Sequence, residues 1–400
     1  MPDATTPTPT PHAATVEFDH VTKTYDPRAA KVGARGAVND LTLAVPAGKI
    51  CVLVGPSGCG KTTSLKMVNR LIEPTHGRIL LDGVDVATRD VTELRRGIGY
   101  VIQQTGLFPH RTIEDNVATV PRLLGWSKTR QHERAQELLT VVGLDPARYA
   151  RRYPQQLSGG ERQRVGVARA LAADPPVMLM DEPFGAVDPI VRERLQNEFL
   201  RLQEQLAKTI LFVTHDIDEA IKLGDVVAVF RDGGVVEQFA PPAEILAAPA
   251  SEFVARFVGA DRGLKRLSLT RVNDVDLGQA PTAHVGDDAV TARERMRRTE
   301  LPYLLLLDAD ERPVGWIDEA RLPVTGALAE RMVTETSPLL DRRTTLKDAL
   351  SMLLDADVQI GVVVDRRGVY RGIITVEQIA GFTRVTAREA QDRVEEAAQA

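Results

Sequence analysis

The sequence is poor in cysteine and in long apolar runs, and each shortage excludes a class of protein. Only Cys51 and Cys59 occur among 400 residues, too few for a disulfide framework, so we expect a reducing compartment. The longest apolar runs, such as 226–230 and 360–364, have the length of strands and fall far short of the ~20 residues that span a bilayer. A membrane function would therefore require partner subunits.

The chain also lacks a strong charge of either sign. Its formal net charge is -5 over 400 residues and no basic block stands out, so we expect no nucleic-acid partner. A hydrophobic content of 43% with 26% charged residues is ordinary for a chain that buries a core. The length favours two or three domains.

Changes in composition along the chain predict its first segments. Residues 1–14 are rich in Pro and Thr and have no apolar signal core, so we expect a disordered leader. Residues 15–239 alternate β-branched runs with helical stretches, which indicates an α/β domain. Three prolines and an amphipathic stretch then predict a connector at 240–263, whose apolar face carries Phe253, Phe257 and Val258.

A duplication follows the connector. Asp308 and Gly315 stand seven residues apart, as do Asp365 and Gly372, and the two pairs are offset by 365 − 308 = 57. This spacing predicts two copies of one small α/β unit. The predicted segments are repeat 1 at 264–328, repeat 2 at 329–384 and a charged helical tail at 385–400.

A glycine-rich loop predicts phosphate binding. It follows an apolar strand and precedes a helical stretch, so its backbone N–H groups and the helix N-terminus converge on the phosphates of a nucleotide. Lys61 would neutralise phosphate charge and Thr62 would ligate Mg²⁺. The predicted nucleotide-contacting residues here are Gly55, Pro56, Ser57, Gly58, Cys59, Gly60, Lys61, Thr62 and Thr63.

Two acids end a second apolar strand. Residues 177–180 are apolar and run into Asp181 and Glu182. We expect Asp181 to reach Mg²⁺ and Glu182 to face the water that attacks the γ-phosphate of ATP.

The segment before that strand carries a family resemblance. Leu157-Ser158-Gly159-Gly160-Glu161, just ahead of an apolar strand that ends in Asp-Glu, resembles the signature of the ABC ATPases. The resemblance implies an α/β fold, a P-loop nucleotide-binding domain with a helical subdomain. It also implies a head-to-tail homodimer, in which Ser158, Gly159 and Gly160 of one copy meet ATP held by Lys61 of the other.

Further site residues are implied by the same resemblance. Tyr25 would be the platform for adenine, and Asp188 would lie at the dimer seam. Gln103 would sense the γ-phosphate, act in catalysis and ligate Mg²⁺, with Gln104 as the neighbouring alternative. His215 would be catalytic.

Two longer sequence segments narrow the resemblance to importers. Residues 182–189 and 241–262, with the duplication, are similar to the ATPases of glycine betaine, carnitine and choline importers. This implies an ATP-hydrolysing subunit at the cytoplasmic face of the cell membrane, with two transmembrane permease subunits and, indirectly, an extracytoplasmic solute-binding protein. The solute stays open among betaine, carnitine, choline and proline types. The permease contact would include Phe108, Pro109 and His110. The alternative function is a regulatory ABC ATPase that moves no solute.

In those importers the duplicated module is a pair of CBS repeats. Their nucleotide-binding pattern places Asp three residues after Thr or Ser, but here Thr375 leads to Gln378, while the first repeat has Asp318 and Arg321. Binding of AMP or ATP is therefore not expected, whereas an anionic lipid, a cyclic dinucleotide or ionic strength stays open. The cations that would serve are Arg293, Arg295, Arg297, Arg298, Arg366, Arg367 and Arg371. Their alternative role is a solvated face paired with Glu294, Glu300 and Asp365.

Overall fold

The computed structural model describes residues 13–25, 36–103, 106–185, 187–299, 301–333, 337–356 and 358–382. Residue contacts divide the chain into a first unit, Met1–Ile245 with Pro249–Phe257, and a second unit, Leu246–Ala248 with Val258–Ala400. The predicted leader, apart from residues 13 and 14, and the predicted tail at 385–400 lie outside the described residues, as do Gln104 and Glu300.

The described part of the first unit contains ten strands, and the predicted apolar runs form its central ones. The strands are β1 (Val16–Lys23), β2 (Val38–Val45), β3 (Ile50–Val54), β4 (His76–Leu81), β5 (Val84–Asp85), β6 (Ile98–Val101), β7 (Val177–Asp181), β8 (Thr209–Thr214), β9 (Val226–Arg231) and β10 (Val235–Ala240).

A six-stranded sheet in the order β10-β9-β3-β8-β7-β6 forms the centre of this unit. Its pairs are parallel except for β10 against β9. Every residue of β3, β7 and β8 is buried, which explains why these segments are continuously apolar. A four-stranded antiparallel sheet, β2-β1-β4-β5, contributes with this sheet to one apolar core that includes Phe18, Leu53 and Phe230.

Helices connect and cover these strands. They are α1 (Lys61–Val68), α2 (Val91–Arg96), α3 (Ile113–Val117), α4 (Thr119–Leu123), α5 (Lys128–Val141), α6 (Pro146–Tyr149), α7 (Gly159–Leu171), α8 (Pro189–Leu206) and α9 (Ile217–Leu223). The consecutive helices α3 to α7 form the predicted helical subdomain between β6 and β7. Most of these helices start at a residue whose side chain bonds the first turn, including Asp90, Thr112, Ser127, Ser158, Asp188 and Asp216.

The predicted connector is helical. It contains α10 (Pro242–Ala247) and α11 (Glu252–Val258). The half-buried rings of Phe253 and Phe257 stack with centroids 6.1 Å apart, and Val258 is buried, as expected for an amphipathic segment.

The second unit repeats one strand pattern. Its elements are α12 (Arg262–Leu269), β11 (Thr282–His284), α13 (Ala289–Arg297), β12 (Tyr303–Leu307), β13 (Pro313–Asp318), β14 (Leu339–Asp341), α14 (Leu346–Leu354), β15 (Ile360–Val364) and β16 (Tyr370–Thr375). β11 pairs parallel with β12, which pairs antiparallel with β13. β14, β15 and β16 pair in the same way.

Equivalent turns join the last two strands of each sheet. Asp308 Oδ1 accepts from the backbone N–H groups two and four residues later, and Asp365 Oδ1 does the same. Gly315 and Gly372 have φ of 154° and 152°. The Asp and Gly positions that are offset by 57 in the sequence therefore have matching local structure, as expected for duplicated units.

No helix among the described residues combines the length and the apolar character that crossing a membrane needs.

Candidate nucleotide-binding and hydrolysis site

Four functional segments meet at one edge of the six-stranded sheet. The glycine-rich loop follows β3, Asp181 ends β7, Thr214 ends β8, and Gln103 comes two residues after β6. Because these strands are parallel and adjacent in the order β3-β8-β7-β6, their carboxyl ends share an edge, where ligands of open α/β sheets bind.

Close backbone approach requires glycine in the phosphate loop. Gly55 and Gly60 have φ of 154° and 105°, and a Cβ would overlap the carbonyl oxygen of Phe230 at the first and that of Ala37 at the second. Gly60 is also the residue from which α1 begins. A side chain at either position would therefore push the loop away from the neighbouring backbone.

Lys61 is buried within this loop. Its ammonium donates to the carbonyl oxygens of Gly55 and Pro56, each at 2.7 Å, and it lies 3.5 Å from Cys59 Sγ. A positive charge is thus fixed where the loop backbone curves around the start of α1. Ser57 and Gly58 are exposed, and Thr63 is half-buried one residue beyond Thr62.

Thr62, the residue after Lys61, and Asp181 bring together two oxygen atoms that could ligate a metal ion. The Thr62 hydroxyl donates to Asp181 Oδ1 at 2.8 Å. Burial raises the pKa of Asp181, and the bond from Thr62 opposes this shift. Hydroxyl and carboxylate oxygens suit Mg²⁺, which keeps few protein ligands and takes others from phosphate. The described residues contain no cluster of three or more His, Cys, Asp or Glu side chains placed to hold a metal ion.

Glu182 is held between two other predicted catalytic residues. Gln103 Nε2 donates to Glu182 Oε2 at 3.1 Å, and His215 Nδ1 lies 3.2 Å from Glu182 Oε1. The backbone of Glu182 has φ of 45°, a left-handed conformation that is uncommon for residues other than glycine. Its N–H donates to Val213 O at 3.0 Å, which fixes the turn after β7.

A buried polar network around Glu219, with Gln196 and Thr214, is not predicted by the sequence. Glu219 is 7% exposed and accepts a bond from Gln196 Nε2 at 3.0 Å. Burial raises its pKa, while the bond from the Thr214 hydroxyl opposes this shift. Thr214 Oγ1 accepts from the Asp216 N–H at 3.1 Å. The one sequence signal was a buried-face position three residues after the helix-starting Asp216.

The signature segment starts α7. Ser158 and Glu161 bond each other's backbone N–H groups at 3.3 and 2.7 Å, a capping box. The Tyr149 hydroxyl donates to Glu161 Oε1 at 2.6 Å and holds the pKa of Glu161 below its usual range. Ser158 and Gly159 are exposed, whereas Gly160 is buried.

The predicted residues do not all converge within one chain. In the described residues no hydrogen bond joins Ser158 to the phosphate loop. Tyr25 is 62% exposed, with Lys23 Nζ 5.2 Å from its ring centroid. Asp188 is exposed and accepts from the Ile190 N–H at 3.0 Å. One chain therefore assembles the phosphate loop, the Thr62–Asp181 pair and Glu182, while Ser158, Gly159, Tyr25 and Asp188 are exposed.

Comparison with known proteins decides the family. Residues 38–185 match a family profile described as ABC transporter, and residues 330–383 match one described as CBS domain. The osmoprotectant import ATP-binding protein OsmV of Salmonella typhimurium is 49% identical over 350 residues, which cover 86% of this chain and 91% of that protein. The chain belongs to the ATP-binding proteins of ABC transporters.

Other relatives and solved structures agree with this assignment. The carnitine transport ATP-binding protein OpuCA of Listeria monocytogenes is 44% identical, covering 90% of each chain. The choline transport ATP-binding protein OpuBA of Bacillus subtilis is 44% identical, covering 90% of this chain and 93% of that protein. A dimeric structure of the ATP-binding cassette MJ0796 with ADP and phosphate has a TM-score of 0.50 at 34% identity, covering 57% of this chain and 98% of that chain.

Family membership confirms the expected fold class and makes this ABC protein an ATP-binding ATPase with a C-terminal CBS domain. The residues matched as a CBS domain, 330–383, contain β14, β15 and β16. The boundaries of the segments and the role of each site residue stay predictions.

Proposed function

We propose that the protein is the ATP-hydrolysing subunit of an importer for a quaternary-ammonium compatible solute. The observation that supports the chemistry is the contact of Glu182 with both Gln103 and His215. Glu182 directly follows Asp181, which is bonded to Thr62. The relatives named for osmoprotectant, carnitine and choline transport support the solute class.

Hydrolysis of ATP would use Glu182 as the base. The phosphate loop and Lys61 hold the triphosphate, and Glu182 accepts a proton from the water that attacks the γ-phosphate. Gln103 and His215 fix the direction of its carboxylate from opposite oxygens. Thr62 and Asp181, with Gln103, would hold Mg²⁺, which neutralises charge on the phosphate oxygens.

A second copy of this chain would complete the nucleotide site. The exposed start of α7 carries the positive end of a helix dipole, which favours an anion. Facing copies would bring Ser158, Gly159 and Gly160 to the ATP held by Lys61 of the other copy. Asp188, exposed at the start of α8, would lie at the seam, and Tyr25 would contact adenine.

Two transmembrane permease subunits would bind the first unit at the cytoplasmic face of the cell membrane. Phe108 is 38% exposed, with the ring of His110 6.1 Å away and the guanidinium of Arg111 4.8 Å from its centroid. Pro109 is also exposed. Aromatic and Arg side chains are enriched at protein interfaces. An extracytoplasmic solute-binding protein would deliver the solute to the permease.

The duplicated unit would adjust activity through the CBS pair without binding AMP or ATP. Thr375 N–H donates to Gln378 Oε1 at 2.9 Å and Gln378 N–H donates to Thr375 Oγ1 at 3.2 Å. Gln378 thus places an amide where the nucleotide-binding pattern has the carboxylate that holds the ribose hydroxyls. In the first repeat Asp318 accepts from the Ala320 N–H at 2.9 Å.

Several of the arginines considered for an anionic ligand bond within their own unit. Arg293 donates to Leu322 O at 2.7 Å, Arg295 lies 3.5 Å from Asp287, and Arg371 lies 2.5 Å from Asp365. Arg297, Arg298, Arg366 and Arg367 are exposed. Arg295 and Arg371 are exposed as well, so a cyclic dinucleotide or an anionic lipid surface would meet six of the seven arginines.

Reconstitution tests the proposal. With its permease and solute-binding subunits in vesicles, the protein is expected to drive ATP-dependent uptake of a glycine betaine, carnitine, choline or proline type of solute. Uptake of a sugar or a metal ion but none of these solutes would contradict the solute class. Failure to copurify with any transmembrane subunit would favour the regulatory ATPase instead.

A further inference from the structure

Asn116 is a buried amide that bonds one exposed loop. The loop comprises residues 106–112 and is called the docking loop below, because it contains the proposed permease contact. Asn116 lies in α3 and is 0% exposed. Its Oδ1 accepts from the Phe108 N–H at 2.7 Å. Its Nδ2 donates to the carbonyl oxygens of Phe108, Arg111 and Thr112 at 3.1, 3.2 and 2.9 Å.

These bonds use both kinds of hydrogen-bonding group on the amide. A primary amide offers one acceptor oxygen and two N–H donors. On Asn116 the oxygen and both N–H groups bond residues of the docking loop. An apolar residue of similar size would fill the space but leave four backbone groups without this partner. The side chain therefore determines the loop's conformation rather than only filling the core.

The first residue of the docking loop is tied to a different helix. Arg169 lies in α7, which starts at the signature segment, and its guanidinium donates to Gly106 O at 2.6 Å. The docking loop is thus bonded to the signature helix at Gly106 and to Asn116 of α3 at Phe108, Arg111 and Thr112.

We propose that Asn116 is a positioning residue that holds the docking loop in the shape a permease helix binds, and that Arg169 couples this loop to α7. The proposal rests on the proposed importer function. Ordering a flexible loop upon association costs conformational entropy, so a loop fixed beforehand binds more tightly. A loop joined to α7 would also transfer a displacement to Ser158, because a helix moves as one rigid element.

Amide exchange in the isolated protein tests the clamp without any partner. N116A is expected to speed exchange of the Phe108 amide at least tenfold, while ATPase activity of the isolated chain stays within about twofold. The matched control is T119V, because Thr119 Oγ1 donates to Asp115 O at 3.0 Å and does not bond the docking loop. Equal loop exchange in N116A and wild type would overturn the proposal.

The assembled importer tests the functional half. N116A is expected to need at least tenfold more permease for half-maximal stimulation of ATP hydrolysis, and T119V is expected to match wild type. R169M is expected to bind the permease but to lose most of the stimulation. Its control is R164M, because Arg164 lies in the same helix and bonds Val142 O and Gly143 O instead.

The outcomes separate the two proposals. Wild-type stimulation in both N116A and R169M would overturn the role of the docking loop while the importer function stands. A wild-type complex that takes up no solute would contradict the importer function, and the exchange experiment would still decide whether Asn116 holds the loop. If R169M does not fold, the comparison of N116A with T119V decides alone.

Discussion

At the scale of single residues, Glu182 combines an uncommon backbone conformation with two side-chain contacts. A left-handed φ at a residue with a Cβ costs of the order of 1–2 kcal/mol, which the surrounding structure must offset. Three bonds contribute: the Glu182 N–H donates to Val213 O, the Gly185 N–H donates to Glu182 O, and Gln103 Nε2 donates to Glu182 Oε2. The strain is thus placed where the carboxylate direction matters to catalysis.

Replacing Glu182 by Gln separates binding from hydrolysis. The amide keeps the size of the side chain but cannot accept a proton, so we expect turnover to fall by about 10²–10⁴-fold with ATP affinity nearly unchanged. Steady-state hydrolysis and equilibrium nucleotide binding measure the two effects. The control is E193Q, because Glu193 is exposed and its carboxylate lies 3.9 Å from the Lys222 ammonium. Turnover near wild type in E182Q would show that another group is the base.

Glu219 makes stability depend on pH. Burial raises its pKa above the usual 4.5, with Asp216 adding to the shift and Gln196, Thr214 and Arg192 opposing it. The folded protein then holds this proton at a pH where the unfolded chain has lost it, so the contribution to stability is full below about pH 4.5 and is lost as pH rises through the raised pKa.

The variant E219Q removes that loss. Its stability relative to wild type should rise with pH above about 4.5 and then level off, because the amide does not ionise. Urea unfolding of both proteins at several pH values measures the difference. A difference that is constant with pH would show that Glu219 has an unshifted pKa in the folded protein.

At the scale of elements, the phosphate loop depends on two kinds of glycine. Gly60 has φ of 105° and no room for a Cβ beside Ala37 O, whereas Gly58 has φ of 82° and no atom within 4 Å of a Cβ. The first glycine is required by close approach and the second only by its backbone angle.

The two alanine variants should therefore differ. G58A is expected to cost about 1–2 kcal/mol of stability from the left-handed conformation alone and to keep ATP binding. G60A must also displace the backbone of Ala37, the residue before β2, so we expect loss of ATP binding and a larger loss of stability. Thermal unfolding and nucleotide titration measure both. Equal effects would contradict the role of close approach.

The sequence predicted elements better than it predicted long-range contacts. The apolar runs that became β3, β7, β8 and β9 are local signals, since strands buried on both faces must be continuously apolar. The bond of Gln103 to Glu182 joins residues 79 apart; the resemblance implied a role for Gln103 but not this contact. Glu219 and Asn116 were not predicted, because a polar residue within a helix gives no local sign of its partners.

At the scale of the whole molecule, the catalytic and duplicated units are distinct bodies in one chain. One apolar cluster of the second unit includes Leu267 of α12 together with Leu346 and Leu353 of α14. The second unit therefore begins before residue 271, and a deletion that starts there would expose Leu267. A deletion that starts at Val258, where the second unit resumes, removes α12 together with the helix α14 against which it packs.

Deleting Val258–Ala400 should leave ATP-driven transport intact and remove its regulation by the duplicated unit. In anionic vesicles we expect the truncated importer to keep ATP-driven uptake and to lose the response to salt, because screening by salt acts on exposed cations of the missing unit, with a Debye length of about 8 Å at 0.15 M falling to about 3 Å at 1 M. Neutral vesicles are the control for lipid, and added cyclic dinucleotide tests the other ligand. A truncated importer with unchanged salt and ligand responses would eliminate the duplicated unit as the sensor.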